Sequence, residues 1–126
     1  MKSNISGLTI LLDFKKYRIR VHKQTLHFLN DPEFLLLFVN PELGYIAMRK
    51  GNKDGPLVHR INKYTNSSDK CLELYSRNLL QTLQKTYSAW QDNYCYRLNG
   101  EMMVDEKIIR FPMNHSMLLT NNSKFV

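Results

Sequence analysis

Five cations fall within nine positions near the N-terminus: Lys15, Lys16, Arg18, Arg20 and Lys23. A second group, Arg49, Lys50, Lys53, Arg60 and Lys63, follows an apolar stretch. Arginine can pair bidentately with a guanine edge, and lysine offers a point charge to phosphate. The residues assigned to DNA contact are therefore Lys15, Lys16, Arg18, Arg20, Lys23, Arg49, Lys50 and Lys53. The competing reading of any one of them is a solvated strand face. Over the whole chain 18 Lys+Arg stand against 11 Asp+Glu, a formal +7. With a pI near 9.5, that excess favours nucleic acid or another polyanion as partner.

Other chemistry has little to stand on. His22 and His27 are five apart, and His59 and His115 are isolated, whereas a metal site needs three or four convergent ligands. Cys71 and Cys95 form neither a disulfide framework nor a zinc pattern, and each lies in an expected strand, where burial is expected. The adjacent Asp105 and Glu106 fall in an expected turn and make no acid/base pair. There is no glycine-rich phosphate loop, no Ser/His/Asp order, and no zincin or kinase signature. The expectation is a non-enzyme without metal or cofactor. Tyr87, Trp90, Tyr94 and Tyr96 can be read as a base-stacking platform for single strands, or more simply as helix-to-sheet core packing.

The elements that must position these residues centre on Tyr17 to Lys50. Arg18-Ile19-Arg20-Val21 alternates charged and apolar residues, the period of a half-buried strand. Lys23 to Phe28 is long enough for a short helix, which Asn30-Asp31-Pro32 stops. Phe34 to Val39 is an unbroken apolar run, the pattern of a strand buried on both faces. Asn40 to Gly44 supplies turn residues, and Tyr45 to Met48 returns as the partner strand. Leu8 to Leu12 is a further strand candidate, residues 1–7 read as loose, and 51–56 reads as a loop.

A looser copy of this order follows a polar connector over 62–70. Cys71 to Tyr75 alternates as a strand, Ser76 is a candidate N-cap, and a helix extends to about Trp90. Tyr94 to Leu98 reads as a strand, Asn99-Gly100 as a tight turn, and Lys107 to Phe111 closes the unit. Met117-Leu118-Leu119 in the tail is a docking candidate. The chain is one domain at 126 residues, with units 8–61 and 71–113. Its fold class is α+β, mostly β: two strand–helix–hairpin units in a small barrel-like core.

The stretch Ile19 to Arg49 resembles the AbrB/MazE/SpoVT type of swapped-hairpin DNA-binding domain. Residues 18–29 occupy the place of its strand and short helix, 30–33 its break, and 34–39 with 45–49 its hairpin. Two copies interleave in that family, and an internal duplication would supply the second copy as a pseudo-dimer. The resemblance implies a DNA-binding protein, a transcriptional regulator or mobile-element accessory, acting as a monomer or homodimer on double-stranded DNA. Glu73 stands where the first unit has Arg20, so the implied contact is asymmetric and carried mainly by the first unit. The alternative is an antitoxin-like protein-interaction module, with a single-strand binder third and an enzyme last. No apolar run approaches the roughly 18 residues of a membrane span, and Leu8 to Leu12 is too short for a signal-peptide core. A cytoplasmic location, away from membranes, is expected.

Overall fold

The structure is a computed structural model that describes residues 2–55, 58–61 and 71–119, with 2–7 and 71 described by backbone alone. The polar connector, including Lys63, lies outside the described residues, as do Pro56, Leu57 and the end of the tail.

The chain is mostly β. The strands are β1 (Lys2–Asp13), β2 (Arg18–His22), β3 (Phe34–Asn40), β4 (Tyr45–Lys50), β5 (Val58–Arg60), β6 (Cys71–Tyr75), β7 (Cys95–Met103), β8 (Ile108–Pro112) and β9 (Met117–Leu119). Helix α1 (Lys23–Phe28) follows β2, and helix α2 (Arg77–Thr86) follows β6. The strands form one nearly closed, barrel-like sheet in the order β5-β3-β4-β8-β7-β1-β2-β6, with β9 added to β7.

Alternation decides which residues fill the interior. Ile19 and Val21 of β2, Leu72 and Leu74 of β6, and Ile109 and Phe111 of β8 all join one core with Leu35, Leu37, Ile46 and Met48. Helix α1 contributes Leu26, followed by Leu29, and α2 contributes Leu80 and Leu83. Each helix starts on a side-chain cap: His22 Nδ1 accepts from the Gln24 N–H, and Ser76 Oγ from the Leu79 N–H. The break after α1 uses left-handed backbone at Asn30 (φ 63) and Asp31 (φ 49), residue types that tolerate it. The β3–β4 turn is closed by Asn40, whose carbonyl and side-chain oxygens accept from the Gly44 and Leu43 N–H groups, with Gly44 at φ +70.

Four sequence expectations are corrected. Residues from Lys2 onward are not loose but extend β1, whose backbone pairs with β7 from Lys2↔Met103 to Asp13↔Cys95 around a register shift between Asn4 and Thr9. Asn99-Gly100 is not a turn: β7 runs straight through it, and the turn falls after Met103. Gly100 is there for space, since a Cβ would lie 2.7 Å from Ile109 and 2.8 Å from Phe111. Helix α2 ends at Thr86, because Tyr87 turns extended and Trp90 folds down into the core instead of continuing the helix. Finally, β3 is not buried on both faces. Leu35 and Leu37 are buried, but Phe34, Leu36 and Phe38 remain half-buried on the outer face.

The tail's Met117-Leu118-Leu119 does dock, as β9 against Cys95 to Arg97. No helix among the described residues is long and apolar enough to cross a membrane.

Candidate nucleic-acid interface

The assigned cations divide between the two ends of the sheet. Asp13 pairs with Cys95 at the start of β7, so the β1–β2 turn carrying Lys15 and Lys16 lies at that end. Met103, at the other end of β7, pairs with Ile108, and β4 then runs from Met48, opposite Ile109, towards Lys50. Arg49, Lys50 and the Lys53 loop therefore lie at the far end, as does Lys23, which begins α1 after His22. One patch containing every assigned cation does not form.

The two arginines of the first group are held by acids. Arg18 and Arg20 face outward on β2, and register places Asp13 of β1 and Tyr75 of β6 beside Arg18, and Glu73 opposite Arg20. The Arg18 guanidinium donates to Asp13 Oδ2 at 2.8 Å and to Glu73 Oε2 at 2.6 Å. Arg20 Nε lies 3.4 Å from the same Glu73 oxygen. Asp13 also accepts from the Lys15 and Lys16 N–H groups at 2.9 and 3.2 Å, which fixes the turn. Burial alone would raise the Asp13 pKa. The two turn N–H groups, Arg18 and the Cys95 thiol outweigh it and hold the carboxyl below 3.8. Burial and the Asp13 charge in turn push the Cys95 thiol up, so it is no activated nucleophile.

Arg18 is therefore a structural cation rather than one poised over a groove. Lys15 and Lys16 keep exposed side chains beside it. The implied asymmetry thus takes another form: Glu73 of the second half pairs with the arginines of the first half across the β2–β6 junction.

The second group is differently placed. Leu36 pairs with Val58 on one side and Arg49 on the other, and Phe38 pairs with Ala47, so these side chains share the outer face. Beyond Lys50 the chain doubles back: the Gly51 N–H donates to the Phe34 carbonyl at 2.7 Å, and the Gly55 N–H to the Asn52 carbonyl at 3.0 Å. Leu36, Phe38, Arg49, Lys50, Gly51, Asn52, Gly55 and Val58 line an open concave space of about 500 Å³. Among the described residues no acid pairs with Arg49, Lys50 or Lys53. Sequence reasoning named the cations but missed Leu36, Phe38 and Val58; the signal available for the first two was the apolar run itself, whose outward residues stay half-buried.

The aromatic residues fall on the core side of the two readings. Trp90 and Tyr96 are buried and form a triangle with Phe14, whose ring centroid lies 6.0 and 5.9 Å from theirs. Trp90 Nε1 donates to Ser116 Oγ at 2.9 Å, and the Tyr96 hydroxyl accepts from the Gln91 N–H at 3.0 Å. Tyr94 stays exposed, so positions 94 and 96 form no shared platform.

Among the histidines, His22 caps α1 and His27 pairs with Asp31 at 2.7 Å. His59 faces the core side opposite Leu35, where burial lowers its pKa below 6.5. Among the described residues no three His, Cys, Asp or Glu side chains group to hold a metal ion. Comparison of the chain with protein-family models, with curated proteins and with solved structures finds no match.

Proposed function

We propose that the protein binds double-stranded DNA, as a transcriptional regulator or mobile-element accessory, through the corner formed by Arg49, Lys50 and Lys53. The observation that carries this reading is the contrast in pairing: these cations meet no acid among the described residues, on a chain of formal charge +7. Cations not already neutralised can replace the counterions condensed on phosphates, and their release drives association. Lys15 and Lys16 add a second, smaller source of charge at the opposite end.

The resemblance to AbrB-type pseudo-dimers draws support from the order of pairing. The elements β1, β2, α1, β3, β4 are followed by β5, β6, α2, β7, β8. With β5 counted in the second set rather than in the expected first unit 8–61, exchanging the two sets returns the same neighbours except at the open seam between β5 and β6 and at β9, which only β7 gains. The pairs β2–β6 and β4–β8 are the self-pairs that an internal two-fold requires. Duplication of one ββαββ unit accounts for all of these at once.

An antitoxin-like protein-interaction role is the second reading. It draws on the exposed Met117 and Leu118 of β9, near exposed Tyr94 at the start of β7. Salt separates the two. Fluorescence anisotropy of a labelled mixed-sequence duplex should show affinity falling steeply as salt rises, with the logarithmic slope reduced by about 1 for each phosphate-contacting cation removed. Absence of binding even at low salt overturns the DNA reading in favour of an apolar protein interface.

A further inference from the structure

The outer face of β3 is apolar where its counterpart is polar. Outward positions on β3 are Phe34, Leu36 and Phe38; on β7 they are Arg97, Asn99 and Glu101. Barrel exteriors that meet only water do not call for three half-buried apolar side chains in one row. Here the row is also roofed at one end. The turn closed by Asn52 and Gly55 folds against Val58, whose methyl would lie 3.0 Å from a Cβ on Gly51 and 3.2 Å from one on Gly55. Those contacts fix the wall of the cavity, and the two glycines allow the approach.

The open concavity, about 500 Å³, falls within the range of roughly 300–1,000 Å³ typical of small-molecule sites. Its chemistry has two parts: the apolar Leu36, Phe38 and Val58, and the cations Arg49 and Lys50. A ligand that satisfies both is flat and apolar on its face and anionic at its edge. A second concavity, about 410 Å³ beside Tyr45, includes Glu42 and Glu101 in its lining and sets Arg110 over the Tyr45 ring at 4.8 Å. Its lining mixes two carboxylates with one guanidinium, unlike the lining of the first, whose only charged residues are Arg49 and Lys50.

We infer that the cavity under the 51–55 loop receives an unpaired nucleobase of a DNA strand, its face against Phe38 and Leu36 and its phosphates on Arg49 and Lys50. This rests on the DNA-binding reading and refines it. Bases inside an intact duplex are stacked on their neighbours and cannot enter, whereas a single strand or a frayed end presents them. Every base has a π-face, so such capture tolerates sequence. The protein therefore prefers single-stranded DNA to duplex of the same length.

The test titrates the full chain with a short labelled oligothymidine and with the same strand annealed to its complement. Single-strand affinity should exceed duplex affinity about tenfold, the order expected for stacking one base on an aromatic ring. Phe38→Leu, which keeps apolar volume but removes the ring, should bring the ratio near one, while Phe38→Tyr should preserve it. A measurement on the unaltered protein guards against misfolded variants: 2-aminopurine placed in the strand should change its emission on binding as its stacking partners change. Equal affinities, an unchanged ratio in folded Phe38→Leu, or unaltered 2-aminopurine emission in a bound strand would overturn the base site and leave duplex binding standing. Failure to bind either DNA at low salt overturns both readings.

Discussion

Arg18 and Arg20 stand in cross-strand rows that contain Asp13 and Glu73, whereas Arg49, Lys50 and Lys53 extend from a strand end and loop with no acid paired to them among the described residues. In sequence the first group is the denser and the more suggestive. In the fold its arginines serve the sheet, where their charge is matched by the carboxylates that register brings alongside. Charge density along a chain is thus not charge available to a partner; strand pairing decides which cations are already spoken for. The second group keeps its charge because the β4–β8 pairing stops at Met48↔Ile109, and the β3 residues opposite Arg49 and Lys50 are the apolar Leu36 and Leu35.

If that contrast holds, the largest effect comes from Asp13→Ala. It removes the acceptor for two turn N–H groups and leaves Arg18, only 17% exposed, without the more deeply buried of its two carboxylate partners. Breaking such a buried pair should cost about 3 kcal/mol of stability, read from urea denaturation. The same substitution at Arg49 should stay within about 0.5 kcal/mol, as is usual for an exposed side chain outside any network.

Binding should sort the other way. Arg49→Ala combined with Lys50→Ala should weaken duplex binding about tenfold at moderate salt, by removing two phosphate contacts, with folding unchanged. Arg20→Ala should move duplex affinity by less than about twofold, because the guanidinium lies beside Glu73. An electrophoretic mobility series on the two variants measures both.

The smallest effect is one of pH. Burial holds the His59 pKa below 6.5, so the neutral ring belongs to the fold and the unfolded chain takes up the proton first. Stability from this source is present above pH 6.5, declines as pH falls below it, and levels off beneath the lowered folded value. His59→Gln should flatten that part of the melting-temperature profile. Asp13 acts at lower pH in the same direction: its contribution is complete above 3.8 and is lost as pH falls through its depressed folded value.

Much of the fold was legible wherever local pattern and tertiary demand agree. Arg18 to Val21, Lys23 to Phe28 and Tyr45 to Met48 fall within or coincide with observed elements, and Ser76 caps α2 as its residue type suggests. The misses have a common physical origin in long-range packing. Gly100 carries the local signature of a turn, but its lack of a Cβ accommodates Phe111 from the neighbouring strand. Trp90 has helical spacing, yet the Phe14 ring and Ser116 draw it into the core. The length of β1 could not be read because its N-terminal part is polar and is specified by pairing with β7. At the site, the cations were visible as residue types, but the division into engaged and available depends on register, which one-dimensional charge patterns do not contain. The apolar outer face of β3 was present in the sequence as an unbroken run and was read as full burial; the fold covers one side of it.

The most direct measurement places Arg18→Ala/Arg20→Ala and Arg49→Ala/Lys50→Ala side by side, recording urea stability and the salt dependence of duplex binding for each. A crossed result is expected. The first pair should lose stability and keep its DNA affinity, while the second keeps its stability and loses affinity together with about two units of salt slope. Loss of affinity in a folded Arg18→Ala/Arg20→Ala protein, with Arg49→Ala/Lys50→Ala binding like the parent, would contradict it.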